Sequence, residues 1–367
     1  MNLLFISNLD GRPWAGPTYS VPRQIAAQTA YDNVFWYNIR NDEREGSDAE
    51  GWKRLPYYHN LDEFPAMKIS KLPEPFNRPD CVIVEEFYDY AKTPLLFELL
   101  FGSIPYIIIP RGELTSTAQI KKKVKKKMAN AIIFKIYAQK AKAIYYLTEQ
   151  EALESGSTWN KKWMVIPNGT EKKRAHKQNF SAKRIRCVSI GRIDPFQKGI
   201  DLLIDACFQI KEILRENNCV IDIYGPDRVN KVNELVNVIR EKGMDDIICF
   251  HEAVYHQEKE DVLLNSDVFL MPSRFEGHPT ALIDALSYGI PCLVTEGSNM
   301  KNEIVSAKAG WGADTTVDAI QTALCSMIRD RSKFLEMSNH ALILSQEYDW
   351  EALALKAHNQ FLSVLNN

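Results

Sequence analysis

The chain has 367 residues, 45% of them hydrophobic and 25% charged, and its 45 Lys and Arg against 47 Asp and Glu leave a formal net charge of -2. That length exceeds an ordinary single core and fits two domains, and the near-neutral balance excludes any global attraction to nucleic acid. Seven cysteines at positions 81, 187, 207, 219, 249, 292 and 325 form no Cys-x-x-Cys pair, so they read as reduced thiols rather than a disulfide frame or a zinc site.

The first residues, Met1 to Asn8, carry no basic leader, and no later apolar stretch approaches the length of a membrane span. A cytoplasmic protein is the expectation. Short apolar runs at 3–7, 34–37, 81–84, 106–109, 143–147 and 163–166 alternate with helical patterns. Continuous runs of this kind predict parallel strands covered on both faces. In open sheets of this class ligands lie beyond the carboxyl ends of strands. Two segments of the first half would stand there. Gly16-Pro17-Thr18 combines a residue that permits close backbone approach with a fair N-cap, and a purely structural turn fits it equally well. Pro110-Arg111-Gly112-Glu113 presents Arg111 and Glu113 if the strand ends at Ile109.

Between Leu114 and Thr148 there is no acidic residue, while lysines stand at 121, 122, 123, 125, 126, 127, 135, 140 and 142. Apolar residues at 120, 124, 128, 132 and 136 fall four apart, which predicts a helix with one buried stripe and a cationic outer face. A solvated face is the bland reading. Against it, Lys121, Lys122, Lys123, Lys125, Lys126 and Lys127 repel one another with no neighbouring acid. An anionic membrane surface supplies the missing counter-charge, each lysine contributing about 1 kcal/mol. RNA binding finds no stacking platform beside the run.

The stretch 170–184 is polar, basic and nearly free of large apolar residues, which marks a linker at 173–184. Domains of 1–172 and 185–347 follow. The second repeats the strand logic at 186–190, 220–224, 247–250, 268–271 and 292–295. After its first strand comes Gly191-Arg192-Ile193-Asp194-Pro195-Phe196-Gln197-Lys198-Gly199. Arg192 and Lys198 at a strand-to-helix crossing can converge on a diphosphate, although surface cations are more often simply solvated.

After the strand 268–271 comes Ser273-Arg274-Phe275-Glu276-Gly277-His278-Pro279-Thr280, then a helical pattern containing Asp284 and closed by Gly289. Pro279 suits the first helical turn, and the N–H groups of such a helix start favour phosphate. Glu276 then reads as an acceptor for sugar hydroxyls, and Asp284 for a ribose diol. An acidic turn before an ordinary amphipathic helix matches the spacing as well. No His-Glu-x-x-His and no Asp-x-Asp occurs, so no metal is expected and the phosphate charge falls to Arg192, Lys198 and the helix end.

Taken together, these two segments resemble the large family of retaining glycosyltransferases with the GT-B fold that carries an E-x7-E motif, known as glycosyltransferase family four or glycosyl transferases group 1. Ile166-Pro167-Asn168-Gly169, Tyr224-Gly225-Pro226, Met271-Pro272-Ser273 and Tyr348-Asp349-Trp350-Glu351 stand where that family has short signatures, so the resemblance spans nearly the whole chain. It departs at Asp284, where the family has Glu, and at Glu252, where it usually has a glycine near the nucleotide base.

The resemblance implies two doubly wound Rossmann-like α/β domains with a cleft between them, and a helix over 348–367 that returns to the first domain. It implies transfer of a sugar, with retention, from a nucleotide-diphosphate sugar to a saccharide or lipid-linked hydroxyl in cell-surface polysaccharide or glycolipid synthesis. Arg192, Lys198 and Glu276 would be the catalytic set. Gly191, Gly277, His278, Pro279, Thr280 and Asp284 would complete the donor site, and Gly16, Thr18, Arg111 and Glu113 the acceptor side. No cofactor is implied beyond the nucleotide sugar as co-substrate. The expected location is peripheral, on the inner face of the membrane. A GT-B partner protein with weak turnover, or a sugar-nucleotide epimerase, would share much of this pattern.

Overall fold

The structure, a computed structural model, describes residues 1–12, 15–40, 49–90, 93–115, 119, 133–181 and 183–366. The chain divides into two compact units, Met1–Gly169 with Trp350–Asn367, and Thr170–Asp349.

The first unit holds β1 (Asn2–Ser7), β2 (Asn33–Asn38), β3 (Tyr58–Asn60), β4 (Cys81–Glu85), β5 (Tyr106–Ile109), β6 (Ala143–Tyr146) and β7 (Trp163–Val165). They pair in the order β3-β2-β1-β4-β5-β6-β7, all parallel. Along β1, Leu4 and Ile6 enter one apolar cluster while Leu3 and Phe5 enter the other. A sheet buried on both faces needs apolar side chains at every position, which is why its strands read as unbroken runs.

The second unit holds β8 (Ile185–Ile190), β9 (Cys219–Tyr224), β10 (Ile248–His251), β11 (Val268–Met271), β12 (Cys292–Thr295) and β13 (Gly310–Ala313). Their order is β10-β9-β8-β11-β12-β13, again all parallel. In each sheet the order reverses once, between β1 and β4 and between β8 and β11. Loops leaving adjacent strands at such a point diverge to opposite faces and leave room for a ligand.

Two strands were not expected from the sequence, β3 and β13, and both lie at a sheet edge. An edge strand pairs on one side only, so a short run such as Tyr58-His59-Asn60 or Gly310-Trp311-Gly312-Ala313 suffices without the apolar continuity of a central strand. The segment expected as a linker, 173–184, is laid instead along the second unit. Lys177 donates its backbone N–H to Tyr288 O and pairs through Nζ with Asp267, while Phe180 meets Phe334 edge to face. Its polar composition reflects lysines with buried partners, which look the same in sequence as solvated ones.

The last helix, Trp350–Asn366, inserts Trp350, Leu353, Ala357 and Phe361 into the cluster formed by Leu3 and Phe5 of β1, so the chain end belongs to the first unit. Of the seven cysteines, all free, Cys249 is exposed and Cys325 half-buried, and the other five are buried. No helix among the described residues is long and apolar enough to cross a membrane. Lys121, Lys122, Lys123, Lys125, Lys126 and Lys127 lie outside the described residues.

Candidate active site

The loops after β8 and β11 meet at the switch point of the second sheet. After β8 the chain turns at Gly191, whose N–H donates to Tyr224 O, and runs through a tight turn in which Asp194 accepts from the Gln197 and Lys198 N–H groups. The helix Ile200–Gln209 then starts at Gly199, which has φ 62. A Cβ there would lie 1.9 Å from Pro272 O, so glycine is required both by the left-handed backbone and by the close passage of the β11 loop.

That passage puts Lys198 beside Glu276. Lys198 Nζ lies 2.7 Å from Glu276 Oε1, which also accepts from Ser273 Oγ at 2.6 Å. Both side chains are largely buried, at 20% and 9% exposure, so the attraction is screened less than on an open surface. Arg192 stands on the same loop, its guanidinium 3.3 Å from Gln197 Oε1.

Residues that the sequence pattern did not single out fix this arrangement. Arg274 grips Asp201 through two nitrogens, at 2.7 and 2.8 Å, donates to Phe196 O and lies over the Phe196 ring. Its own N–H donates to Gln197 O. Asn299 Nδ2 donates to the carbonyls of Glu276 and Gly277 at 2.5 and 3.1 Å, and Thr295 Oγ1 to Ser273 O at 2.6 Å. A bidentate Arg–carboxylate pair fixes orientation as well as distance, which locks one loop to the other.

Pro279 is the N-cap rather than the first helical residue; its backbone is extended and the helix runs from Thr280 to Ser287. Gly289, at φ 73, closes it, with the Ile290 N–H donating to Ala285 O. His278 is buried, and burial alone pushes its imidazole down to about 3, so it is neutral at physiological pH.

Asp284 is not poised at an open edge. It is 3% exposed, and its carboxylate takes Lys259 Nζ at 2.5 Å, Lys173 Nζ at 3.2 Å and Thr170 Oγ1 at 3.1 Å. Burial pushes the carboxyl up, but the ammonium groups of Lys259 and Lys173 outweigh it and hold it at about 2. Those partners give Asp284 a structural task, tying the strap after Thr170 and the helix His256–Asn265 to the helix that follows Glu276.

In the first unit the helix Gly16–Gln28 starts after Ala15, with Pro17 in its first turn, so Thr18 is a buried helical residue and not the N-cap. Because Pro17 has no N–H to satisfy, the helix starts before the hydroxyl. A Cβ on Gly16 would meet open space. Arg111, at φ 47, turns its guanidinium inward. It pairs with Glu85 at 2.7 Å and donates to Ser20, Gln24 and Asn168. Glu113 accepts from the N–H groups of Phe87 and Tyr88, shaping the loop after β4.

The switch point of this sheet carries Glu86, Asp89 and Asn8, which the sequence did not suggest. Asn8 donates to Asp89, and burial together with Asp89 pushes the Glu86 carboxyl well up. Among the described residues no group of three or more His, Cys, Asp or Glu could hold a metal ion.

Residues 171–342, nearly the whole second unit, match the family model described as glycosyl transferases group 1. The second unit thus resembles the glycosyl transferases group 1 family over nearly its whole length. Sequence relatives align mainly over part of the chain. One is the GPI3 subunit of phosphatidylinositol N-acetylglucosaminyltransferase from Saccharomyces cerevisiae, 25% identical over 51% of this chain and 41% of its own length. Another is mannosylfructose-phosphate synthase of Agrobacterium fabrum, 26% identical over 32% of this chain and 27% of its own. The chain thus spans about a third of the length of the curated relatives it matches.

Solved structures are similar over both units. Sucrose-phosphate synthase from Thermosynechococcus elongatus covers 100% of this chain and 99% of its own, with a TM-score of 0.74 and 16% identity. Anabaena HepE, solved with UDP, covers 99% and 100%, with a TM-score of 0.74 and 14% identity. The fold is that of GT-B glycosyltransferases, and the unit that matches the group 1 family model is the one that holds Arg192, Lys198 and Glu276.

Proposed function

We infer that the protein transfers a sugar from a nucleotide-diphosphate sugar, held by the group 1 domain, to a hydroxyl of a saccharide or lipid-linked acceptor, with retention at the anomeric carbon. The observation that carries this reading is the 2.7 Å pairing of Lys198 with Glu276 at the switch point, with Arg192 on the same loop. A cation already neutralised by a carboxylate is a poor anion site unless the carboxylate has a second task. Glu276 Oε1 is taken by Lys198 and Ser273, while Oε2 carries no protein hydrogen bond among the described residues and can accept from a sugar hydroxyl.

As the bond from the anomeric carbon to the diphosphate oxygen breaks, charge collects on the leaving nucleoside diphosphate. Lys198, Arg192 and the N–H groups from Gly277 to Thr280, with Pro279 contributing none, would stabilise it, an effect of several kcal/mol when the donors are preorganised. The acceptor oxygen bonds to the anomeric carbon on the same face. Its proton passes to the departing phosphate. No metal is needed in this scheme, because two side-chain cations and a helix start meet the diphosphate.

Related proteins support the donor class, since Anabaena HepE has been solved with UDP-glucose. They support the acceptor class through names: WaaG is described as involved in lipopolysaccharide biosynthesis, and the yeast relative as a phosphatidylinositol N-acetylglucosaminyltransferase subunit. A lipid-linked acceptor in cell-surface polysaccharide or glycolipid synthesis also suits the cationic run at Lys121 to Lys127, which favours a peripheral position on an anionic inner membrane face.

The test is nucleotide release from a panel of sugar donors by purified protein, with Glu276→Ala as control, in the presence of chelator, followed by anomeric analysis of the product. Release that requires a divalent ion would remove the metal-free scheme, and an inverted linkage would remove retention. A panel with no release for any donor and acceptor would leave a GT-B partner protein.

A further inference from the structure

We propose that the outer face of the helices Pro94–Phe101 and Lys135–Lys140 in the first unit docks on an anionic lipid bilayer, seating Phe97, Phe101 and Ile136 among the headgroups. The proposal deepens the membrane reading of the lysine run but stands on different residues.

The helix Pro94–Phe101 has the sequence PLLFELLF, apolar almost all round. Leu95, Leu96, Leu99 and Leu100 are buried in the unit's core, yet Phe97 is 55% and Phe101 79% exposed. One turn apart, the two rings stack with centroids at 6.3 Å and an interplanar angle of 13°. The neighbouring helix adds Ile136, 49% exposed. A helix apolar on both faces is one whose second face has a partner of its own.

The charges around this face identify the partner. Lys140 Nζ lies 5.8 Å from the Phe101 ring centroid and donates to Leu100 O, and Lys135 is exposed on the same short helix. Phe97 and Phe101 line a concavity of about 1050 Å³ together with Lys68 and Arg78. The acid in that lining, Glu98, is spent internally, accepting from Ser70 Oγ at 2.6 Å and from the Ile69 N–H at 2.5 Å. What faces outward is aromatic and aliphatic carbon rimmed by cations. Aromatic side chains settle at the headgroup level, and lysine and arginine reach past them to phosphates.

The position in the sheet separates this face from the site edge. The concavity is lined by Asn77, Arg78 and Pro79, which precede β4, and by Ser103, Ile104 and Pro105, which precede β5. It therefore lies at the amino ends of the strands, opposite Gly112 and Glu113, and a bilayer held there leaves the carboxyl edge open to ligand.

Sedimentation of the full chain with phosphatidylglycerol-rich and with pure phosphatidylcholine vesicles tests the proposal. Two variants are compared with wild type, the double exchange Phe97→Ser, Phe101→Ser and a separate exchange of the six lysines from 121 to 127 to Gln. Because both phenylalanines are exposed, the double variant should keep its melting temperature and donor turnover. Its partitioning onto anionic vesicles is expected to fall about tenfold or more, and to stay below wild type at about 0.5 M salt, where the Debye length is short and apolar insertion persists.

Equal binding of the double variant and wild type at both salt levels overturns the proposal. So does a wild-type protein that self-associates through this face, seen as a dimer in sedimentation velocity that the double variant lacks. Loss in the phenylalanine variant alone, with the lysine variant binding as wild type, supports the docking face and removes the lysine reading. Wild-type protein that binds neither kind of vesicle removes both.

Discussion

Lys198 and Glu276, both largely buried, hold each other at 2.7 Å, and each limits what the other can do. Lys198→Ala removes a cation from the developing diphosphate charge and leaves Glu276 as an uncompensated anion beside it. We expect a loss of about 10²–10³ in kcat/KM. Adding Glu276→Gln to Lys198→Ala should recover part of that loss, because the repulsive charge goes with it, and a double-mutant cycle in steady-state kinetics reads the coupling. Strictly additive losses would mean that the pair does not act on one charge. Asp284 is the contrasting case. Its spacing from Glu276 was legible in the sequence and its partners were not, since Lys173, Lys259 and Thr170 come from distant segments. Asp284→Ala strips a buried anion from two lysines, and should cost about 3–5 kcal/mol in urea denaturation. Its folded pKa of about 2 lies below the ordinary 3.8, so its contribution is fully present above about pH 3.8 and is lost as pH falls through about 2. A variant as stable as wild type at neutral pH would sink this assignment.

At the scale of elements, the two loops of the proposed donor site form one object. Arg274 and Asp201 tie the β11 loop to the start of the helix Ile200–Gln209, and the loop after β9 passes close against the loop after β8. There a Cβ on Gly225 would come within 1.7 Å of Gly191 O. Gly225→Ala must push the Arg192 and Lys198 loop aside, and should abolish detectable donor binding in titration calorimetry while the fold survives. Arg274→Ala frees the same loop without a clash. Because the Arg274 side chain acts through Phe196 and Asp201, we expect a weaker effect, a donor KM raised several-fold with a smaller change in kcat. An equal fall of kcat and kcat/KM would show instead that Arg274 acts only in the transition state. Strand-to-helix punctuation made these loops visible in the sequence, as Gly191-Arg192 and Pro279 follow apolar runs. The clamp was not visible, because an Arg and an Asp far apart in the chain look like any solvated pair. Likewise β3 and β13 escaped notice because an edge strand needs no apolar continuity.

At the scale of the molecule, the chain builds two units with separate cores, and its last helix belongs to the one where the chain began. Phe361 is fully buried against the sheet of the first unit, in the cluster that holds Leu3, Phe5 and Tyr145. Phe361→Ala should therefore destabilise that unit by about 3–5 kcal/mol, the usual cost of an emptied aromatic site. The proposed donor loops, Asp284 and their supports all lie in the second unit, whose core clusters contain no residue of the last helix. Calorimetry should then resolve two transitions in the variant, since a chain of two cores need not unfold in one step. Only the upper transition, that of the second unit, should rise on adding nucleoside diphosphate, by an amount set by ligand concentration over its Kd. The outcome turns on which transition moves. If both shift together with nucleotide, the two units melt as one cooperative body and the last helix stabilises more than the unit it packs in; if neither shifts, the switch point of the second sheet is not where the nucleotide binds.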